Sequence, residues 1–162
     1  MTAATQTSDA TDTSTHPSGL RSFDESLPMA LMRAREAVMR RFRPILTEHD
    51  VTEQQWRVLR ALHDADGALS VGELAERTYL LGPSLSRMLV ALEDRQLLLR
   101  RAADDARRSE ISIAPGGRAV VAEVAPQSEA AYAAIDAQLD PGELEQLYHL
   151  LAKVTMTRDN DR

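Results

Sequence analysis

The most constraining feature of the sequence is a pair of short amphipathic segments in its middle, at residues 70–77 and 82–92. In the first, Ser70 and Glu73 have the spacing of a capping box, in which each side chain accepts a hydrogen bond from the other residue's backbone amide at a helix N-terminus. The second opens with Pro83 in its first turn, where the missing proline N–H costs nothing. Two short helices joined by a brief turn are the arrangement of a helix-turn-helix.

A charged segment at residues 102–108 follows these helices and lies between two runs of strand-forming residues, 97–101 and 110–114. Short apolar runs on both sides of a polar tip predict a β-hairpin. A hairpin directly after a helix-turn-helix is the wing of a winged-helix domain. The fold class predicted for the chain is therefore mostly α, a winged helix-turn-helix with a two-stranded β-wing.

Amphipathic helices are predicted on both sides of this lobe. The first, at residues 27–49, carries two apolar stripes and needs a second partner, such as another subunit. A helix capped by Thr52 and Gln55 follows, and long helices begin at residues 115 and 141, the former with Pro126 expected to bend it or break it. These patterns divide the chain into four parts: a disordered tail (1–22), dimerisation helices (23–50 and 115–157) and a winged helix-turn-helix lobe (51–114).

The charge balance hides a division along the chain. A net charge of -6 argues against a nucleic-acid partner, which needs a basic face for its phosphates. Yet residues 69–118 hold eight arginines against seven acidic residues, whereas residues 119–162 hold three basic and eight acidic side chains. The acidic excess lies mostly at the chain ends, so the net charge does not exclude a nucleic-acid partner for the central lobe.

Several function classes lack support in the sequence. The chain has no cysteine, which excludes disulfides, thiolate metal sites and a thiol redox sensor. The histidines are not at metal-ligand spacing, and no phosphate loop or nucleophile motif is present, so we expect no metal, cofactor or catalysis. With no apolar run near the ~20 residues of a membrane span and no secretory signal, the expectation is a cytoplasmic protein without membrane contact.

Three segments in order resemble the MarR family of transcriptional regulators: VGELAER at 71–77, SLSRML at 84–89 followed by Leu92-Glu93, and DARR at 105–108 before ISIAPGG at 111–117. The resemblance covers about residues 25–155. It implies a protein that binds double-stranded DNA, with the Ser/Arg-bearing helix in the major groove and the wing tip in the adjacent minor groove.

Carried onto this chain, the resemblance assigns DNA contacts to the groove-facing Ser84, Ser86 and Arg87 and to the wing residues Arg107, Arg108 and Asp105. The chemistry of these side chains agrees, because Arg87 can bond a guanine edge bidentately or hold a phosphate. Arg107 suits a narrow, electronegative minor groove, where Asp105 would orient it, and Arg108 suits a phosphate. The alternative is that all three arginines are ordinary solvated surface residues.

The N-terminal part, in particular SLPMALMRAREAVM at 26–39 and TEQQWRVLR at 52–60, resembles regulators of homoprotocatechuate and related aromatic-acid or nicotinate catabolic operons. This implies a repressor that a small aromatic carboxylic acid releases from its operator. Arg33 or Arg35 would hold the carboxylate and Trp56 would supply an aromatic wall. Alternatively, either arginine pairs with Glu36 or a partner-subunit carboxylate, and Trp56 is part of the core.

Two positions depart from the family pattern. Gln96 stands where glycine usually ends the recognition helix; a left-handed conformation there would cost ~1 kcal/mol, so the helix is expected to end differently. Ala114 replaces a common threonine and removes a hydroxyl cap worth ~1 kcal/mol from the following helix. Neither change affects the expected DNA contacts.

The sequence leaves rival functions open. A winged-helix protein-interaction module without specific DNA binding is the main alternative to a homodimeric DNA-binding regulator. A small ligand-binding or catalytic helical protein is a third possibility, and it would show affinity or turnover without any dependence on DNA.

Overall fold

The computed structural model describes residues 19–102 and 109–156 and divides the chain into two compact units, residues 1–39 and 40–162. The described elements follow in the order α1 (Leu27–Glu48), α2 (Glu53–His63), β1 (Leu69–Ser70), α3 (Val71–Thr78), α4 (Gly82–Asp94), β2 (Leu98–Ala102), β3 (Ser109–Ile113), α5 (Pro115–Asp136) and α6 (Pro141–Met156). The predicted class, mostly α with a winged helix-turn-helix, is confirmed. Among the helices described, none combines the length and the apolar character that crossing a membrane would require.

The sheet has one strand more than the sequence predicted. Strand β3 pairs antiparallel with β2 on one side and with β1 on the other, where Leu69 lies opposite Ile111. The wing strands are each displaced by one residue toward the tip relative to the expectation. The displacement follows because Leu97 belongs to the helix ending that precedes β2 and Ala114 is the N-cap of α5.

The core of the second unit lies where α2, α3 and α4 pack with the sheet. Its fully buried side chains are mainly leucines: Leu59, Leu62, Leu74, Leu85, Leu89, Leu92, Leu98 and Ile111. Both predicted capping boxes are present, since Thr52 and Gln55 bond each other's backbone amides, as do Ser70 and Glu73. These caps fix where α2 and α3 begin, and the buried leucines fix which face of α4 points inward.

Helix α4 ends in a left-handed residue, contrary to the expectation for Gln96. Gln96 has φ 57°, its N–H donates to the Glu93 carbonyl (2.8 Å), and the Leu97 N–H donates to the Leu92 carbonyl (2.9 Å). This pair of bonds is a Schellman motif, completed by burial of Leu92 and Leu97. The prediction of a different ending was wrong because these bonds and this burial outweigh the strain at one residue.

The strain at Gln96 predicts a stabilising substitution. Gln96→Gly should raise the free energy of unfolding by about 0.5–1 kcal/mol, because glycine adopts a positive φ without the Cβ penalty. Gln96 is exposed, so the change removes no buried contact. Urea unfolding at one protein concentration measures the difference, and Gln96→Ala is the control that keeps the strain. A glycine variant no more stable than the alanine variant would contradict this explanation.

The first turn of α5 packs against the same connection. The Ala114 N–H donates to the Leu97 carbonyl (3.1 Å), and Ala114 supplies no side-chain cap, as expected. A Cβ on Gly117 would overlap the Leu97 carbonyl oxygen and lie 2.8 Å from Ile113 Cγ1. Gly117 therefore permits the close approach that joins the end of α4, the wing and α5.

The terminal helices leave apolar side chains uncovered. In the first unit, Leu27 and Leu31 are exposed. In the second, α6 has no buried residue, and its exposed large apolar side chains are Leu147, Tyr148, Leu150, Leu151, Val154 and Met156. Helix α5 runs unbroken past Pro126, so the break that proline would have allowed does not occur. Most of the predicted tail, residues 1–18, and residue 157 lie outside the described residues.

Candidate nucleic-acid interface

Helix α4 has a largely polar outer face because its leucines all lie on the inner face, where they pack in the core. Leu85, Leu89 and Leu92 are completely buried in the lobe. Ser86 and Arg87 lie on the opposite side and are exposed, whereas Ser84 is partly buried. Of the three residues predicted on this helix, Ser86 and Arg87 are thus fully accessible to a groove.

The turn before α4 is held by an arginine of α2. Tyr79 caps α3 in the left-handed conformation (φ 53°), and the Arg57 guanidinium donates to the neighbouring Thr78 carbonyl at 2.9 Å. The buried Thr78 hydroxyl donates to the Leu74 carbonyl one turn earlier. These bonds satisfy carbonyls near the end of α3 and fix the path of the chain into α4. Sequence reasoning missed Arg57, because its partner is 21 residues away and no local pattern marks it.

The arginines around α4 differ in what they contact. Arg95 pairs with Asp50 at 3.1 Å, and Arg100 of β2 pairs with Glu93 at 3.3 Å, which joins the wing to α4. Two Arg100 nitrogens, Nε and Nη2, are buried without a hydrogen bond, so its link to Glu93 is an ion pair of poor hydrogen-bond geometry. Within residues 19–102 and 109–156, Arg87 takes part in no ion pair and leaves its guanidinium available to a ligand.

The wing is described up to both sides of its tip. Strands β2 and β3 pair antiparallel from Leu98 opposite Ile113 to Ala102 opposite Ser109, as predicted for the two strands of the wing. The predicted tip residues Asp105, Arg107 and Arg108 lie outside the described residues.

The candidate ligand residues have protein partners of their own. In the first unit, Arg33 pairs with Asp24 at 2.9 Å, and Arg35, whose side chain is 43% exposed, pairs with Glu36 at 3.3 Å. The Arg35–Glu36 pair matches the alternative interpretation of the sequence. In the second unit, Trp56 is only partly buried on α2, with the Arg60 guanidinium 5.9 Å from its ring centre. This distance allows a cation–π contact and leaves part of the ring accessible.

Comparison with known proteins identifies the family. A family model described as "MarR family" matches residues 49–109. The homoprotocatechuate degradative operon repressor of Escherichia coli is 41% identical over 128 residues, which cover 78% of this chain and 86% of that protein. The chain belongs to the MarR family. This MarR-family protein is therefore a DNA-binding transcriptional regulator and not an enzyme, as the sequence predicted.

Three solved structures are similar to this MarR-family protein in both fold and sequence. NadR in complex with 4-hydroxyphenylacetate is 34% identical (TM-score 0.72), covering 83% of this chain and 96% of that one. BpsR of Bordetella bronchiseptica, studied for regulation of DNA binding by 6-hydroxynicotinic acid, is 27% identical (TM-score 0.73), covering 81% and 99%. The repressor CouR, bound to a 23-mer DNA duplex, is 28% identical (TM-score 0.74), covering 82% and 94%.

Proposed function

We propose that this protein is a homodimeric repressor that binds a pseudo-palindromic operator and leaves it when a small aromatic acid binds. The observation that carries the proposal is the exposed Ser86–Arg87 face of α4, held on a winged helix-turn-helix. Arg87 offers a planar fork for a guanine edge or a phosphate, and Ser86 offers a short hydroxyl beside it. Ser84 lies in the first turn, where helices of this motif contact bases. A regulator of this kind works in the cytoplasm, where its DNA partner lies.

The wing completes the proposed DNA contact. Strands β2 and β3 lead to the tip that contains Asp105, Arg107 and Arg108, and an arginine in that position suits the narrow minor groove beside a recognition helix. In this proposal Arg107 enters the minor groove, Asp105 orients it and Arg108 meets a phosphate. The lobe that binds DNA comprises residues 51–114.

The exposed apolar side chains of the terminal helices support a dimer. Leucines 147, 150 and 151 lie on α6, in a helix with no buried residue, and a soluble monomer rarely leaves so many apolar side chains uncovered. We assign dimerisation to residues 23–50 and 115–157. Two-fold symmetry of the protein then requires matching symmetry in the operator, with one recognition helix and one wing on each half-site.

The proposed effector is a hydroxylated aromatic carboxylic acid, such as a hydroxyphenylacetate or a hydroxynicotinate. Support comes from NadR, solved in complex with 4-hydroxyphenylacetate, and from BpsR, whose DNA binding is regulated by 6-hydroxynicotinic acid. The E. coli relative is a repressor of the homoprotocatechuate degradative operon. In this chain Arg33 and Arg35 are the candidates to hold the carboxylate, and Trp56 is the candidate aromatic wall. The acid acts by preferring a dimer conformation whose recognition helices no longer fit the operator.

Fluorescence anisotropy with the upstream intergenic DNA tests this proposal. The protein should bind at low salt, bind more weakly as salt rises, and lose about 5- to 150-fold in affinity when the matching acid is added. The panel contains hydroxyphenylacetates, hydroxynicotinates and their uncharged amides, since an amide lacks the carboxylate charge that the arginine is proposed to bind. DNA binding that no acid weakens would contradict the effector, and no binding to this DNA at low salt would favour a protein-interaction module.

Two variants distinguish the candidate arginines. Arg33→Met and Arg35→Met remove one guanidinium each while keeping the apolar stem. The variant that loses the clamp should bind DNA as the wild type does and need a much higher acid concentration for release. A response unchanged in both variants would exclude both arginines as the carboxylate site.

A further inference from the structure

Helix α4 exposes an apolar side chain in the middle of its polar face. Val90 is 50% exposed. It is the one exposed large apolar side chain of α4, a helix that lies wholly within the described residues. It follows Arg87 by three positions and Ser86 by four, so the three residues share one face of the helix. The buried Leu89 and Leu92 lie on the inner face, whereas Val90 points away from them and half of it is open to solvent.

An apolar β-branched side chain on a helix in the major groove can contact the methyl group of thymine. Thymine alone among the four bases carries a methyl group in the major groove, and apolar side chains recognise it by contact. Valine has two γ-methyl groups and few accessible rotamers in a helix, so its exposed surface is held in one place before binding. Covering this surface with a thymine methyl would remove apolar area of both partners from water.

We propose that Val90 reads a thymine methyl group in each operator half-site and is a specificity-determining residue. This inference rests on the proposed DNA-binding function and identifies one base, a thymine, that the protein contacts. Val90 lies about 4.5 Å along the helix from Arg87, given a rise of about 1.5 Å per residue. Base pairs are about 3.4 Å apart, so the thymine lies within about two base pairs of the base that Arg87 contacts.

Replacing single thymines of the operator with deoxyuridine tests the proposal, because this removes only the methyl group. Wild-type protein should lose about three- to fivefold in affinity for each half-site at one thymine position, as expected for one buried methyl group. Val90→Ala should bind the unmodified operator more weakly and be insensitive to deoxyuridine at that position. Val90→Ile, which keeps a branched side chain, should keep the sensitivity, and Arg87→Ala should bind weakly but keep it as well.

The outcomes separate this proposal from the function on which it rests. If deoxyuridine at every thymine of both half-sites leaves the operator affinity of the wild type unchanged, the proposed role of Val90 is wrong. The proposed function as a DNA-binding regulator would still stand. Full methyl sensitivity in Val90→Ala would also overturn it, because another residue would then read the methyl group. Failure of the wild type to bind any operator would overturn the proposed function and this inference together.

Discussion

Replacing Arg87 with alanine should lower operator affinity by about 2–6 kcal/mol, at least roughly thirtyfold, because each of the two half-sites loses a contact worth about 1–3 kcal/mol. The guanidinium is exposed and takes part in no ion pair within the described ranges, so its removal leaves no buried charge behind. The free energy of unfolding should change little for the same reason. Anisotropy titrations over a range of salt concentrations measure the loss.

The matched control for Arg87 is Arg60→Ala. Arg60 is a partly exposed arginine of α2 that pairs with Asp64 at 3.2 Å, and its removal changes the net charge by the same amount. We expect the control to bind operator DNA within a few-fold of the wild type in the absence of effector. Equal losses in both variants would mean that general charge, rather than the α4 face, determines affinity.

Of the alanine substitutions at the glycines of the described residues, Gly117→Ala should be the most destabilising, at about 3 kcal/mol or more. An added Cβ would overlap the Leu97 carbonyl oxygen and lie 2.8 Å from Ile113 Cγ1. A backbone oxygen cannot move aside as a flexible side chain can, so α5 must separate from the connection between α4 and β2. The variant should unfold at lower urea concentration and bind operator weakly even where it remains folded.

The control for Gly117 is Gly142→Ala, in the first turn of α6. A Cβ there meets no atom within 4 Å, so alanine should be neutral or stabilise by up to about 1 kcal/mol through its helix propensity. Both variants should be unfolded at the same protein concentration, because dimerisation makes apparent stability concentration-dependent. A Gly117→Ala variant within about 0.5 kcal/mol of the wild type would contradict the close packing of α5 on this connection.

The local signals in the sequence were sufficient for the helices of the lobe. Thr52 with Gln55 and Ser70 with Glu73 are capping boxes whose bonds form within one helical turn, so their spacing alone locates the starts of α2 and α3. The periodicity of the buried leucines likewise determines which face of α4 points outward. Ser86 and Arg87 fall on that outward face, so the pattern alone predicts that both are exposed, whereas their proposed DNA contacts came from the resemblance to the MarR family.

Features that depend on distant partners could not be predicted in this way. Strand β1 has two residues, too few for a periodic pattern, and exists because Leu69 pairs with Ile111. The left-handed Gln96 is unfavourable locally and is stabilised by bonds and burial around Leu97. Val90 was missed for a different reason: DNA contacts were expected of polar side chains, whereas a thymine methyl group requires an apolar one.

The candidate ligand residues illustrate a further limit of sequence reasoning. Arg33 or Arg35 was expected to hold a ligand carboxylate, and the described residues already supply an anion to each, Asp24 to Arg33 and Glu36 to Arg35. An ion pair in an exposed setting contributes little free energy, so an incoming carboxylate could displace either acidic partner at small cost. The acid titrations of Arg33→Met and Arg35→Met choose between the two arginines.

Hydroxyl-radical footprinting of the protein on its own upstream intergenic DNA tests the central claim, that two α4 helices of a dimer read a symmetric operator. We expect two protected half-sites related by two-fold symmetry, with centres about 10–10.5 base pairs apart or a multiple of that spacing, and loss of both on Arg87→Ala. Protection that follows no symmetry, or that persists unchanged in Arg87→Ala, would contradict it.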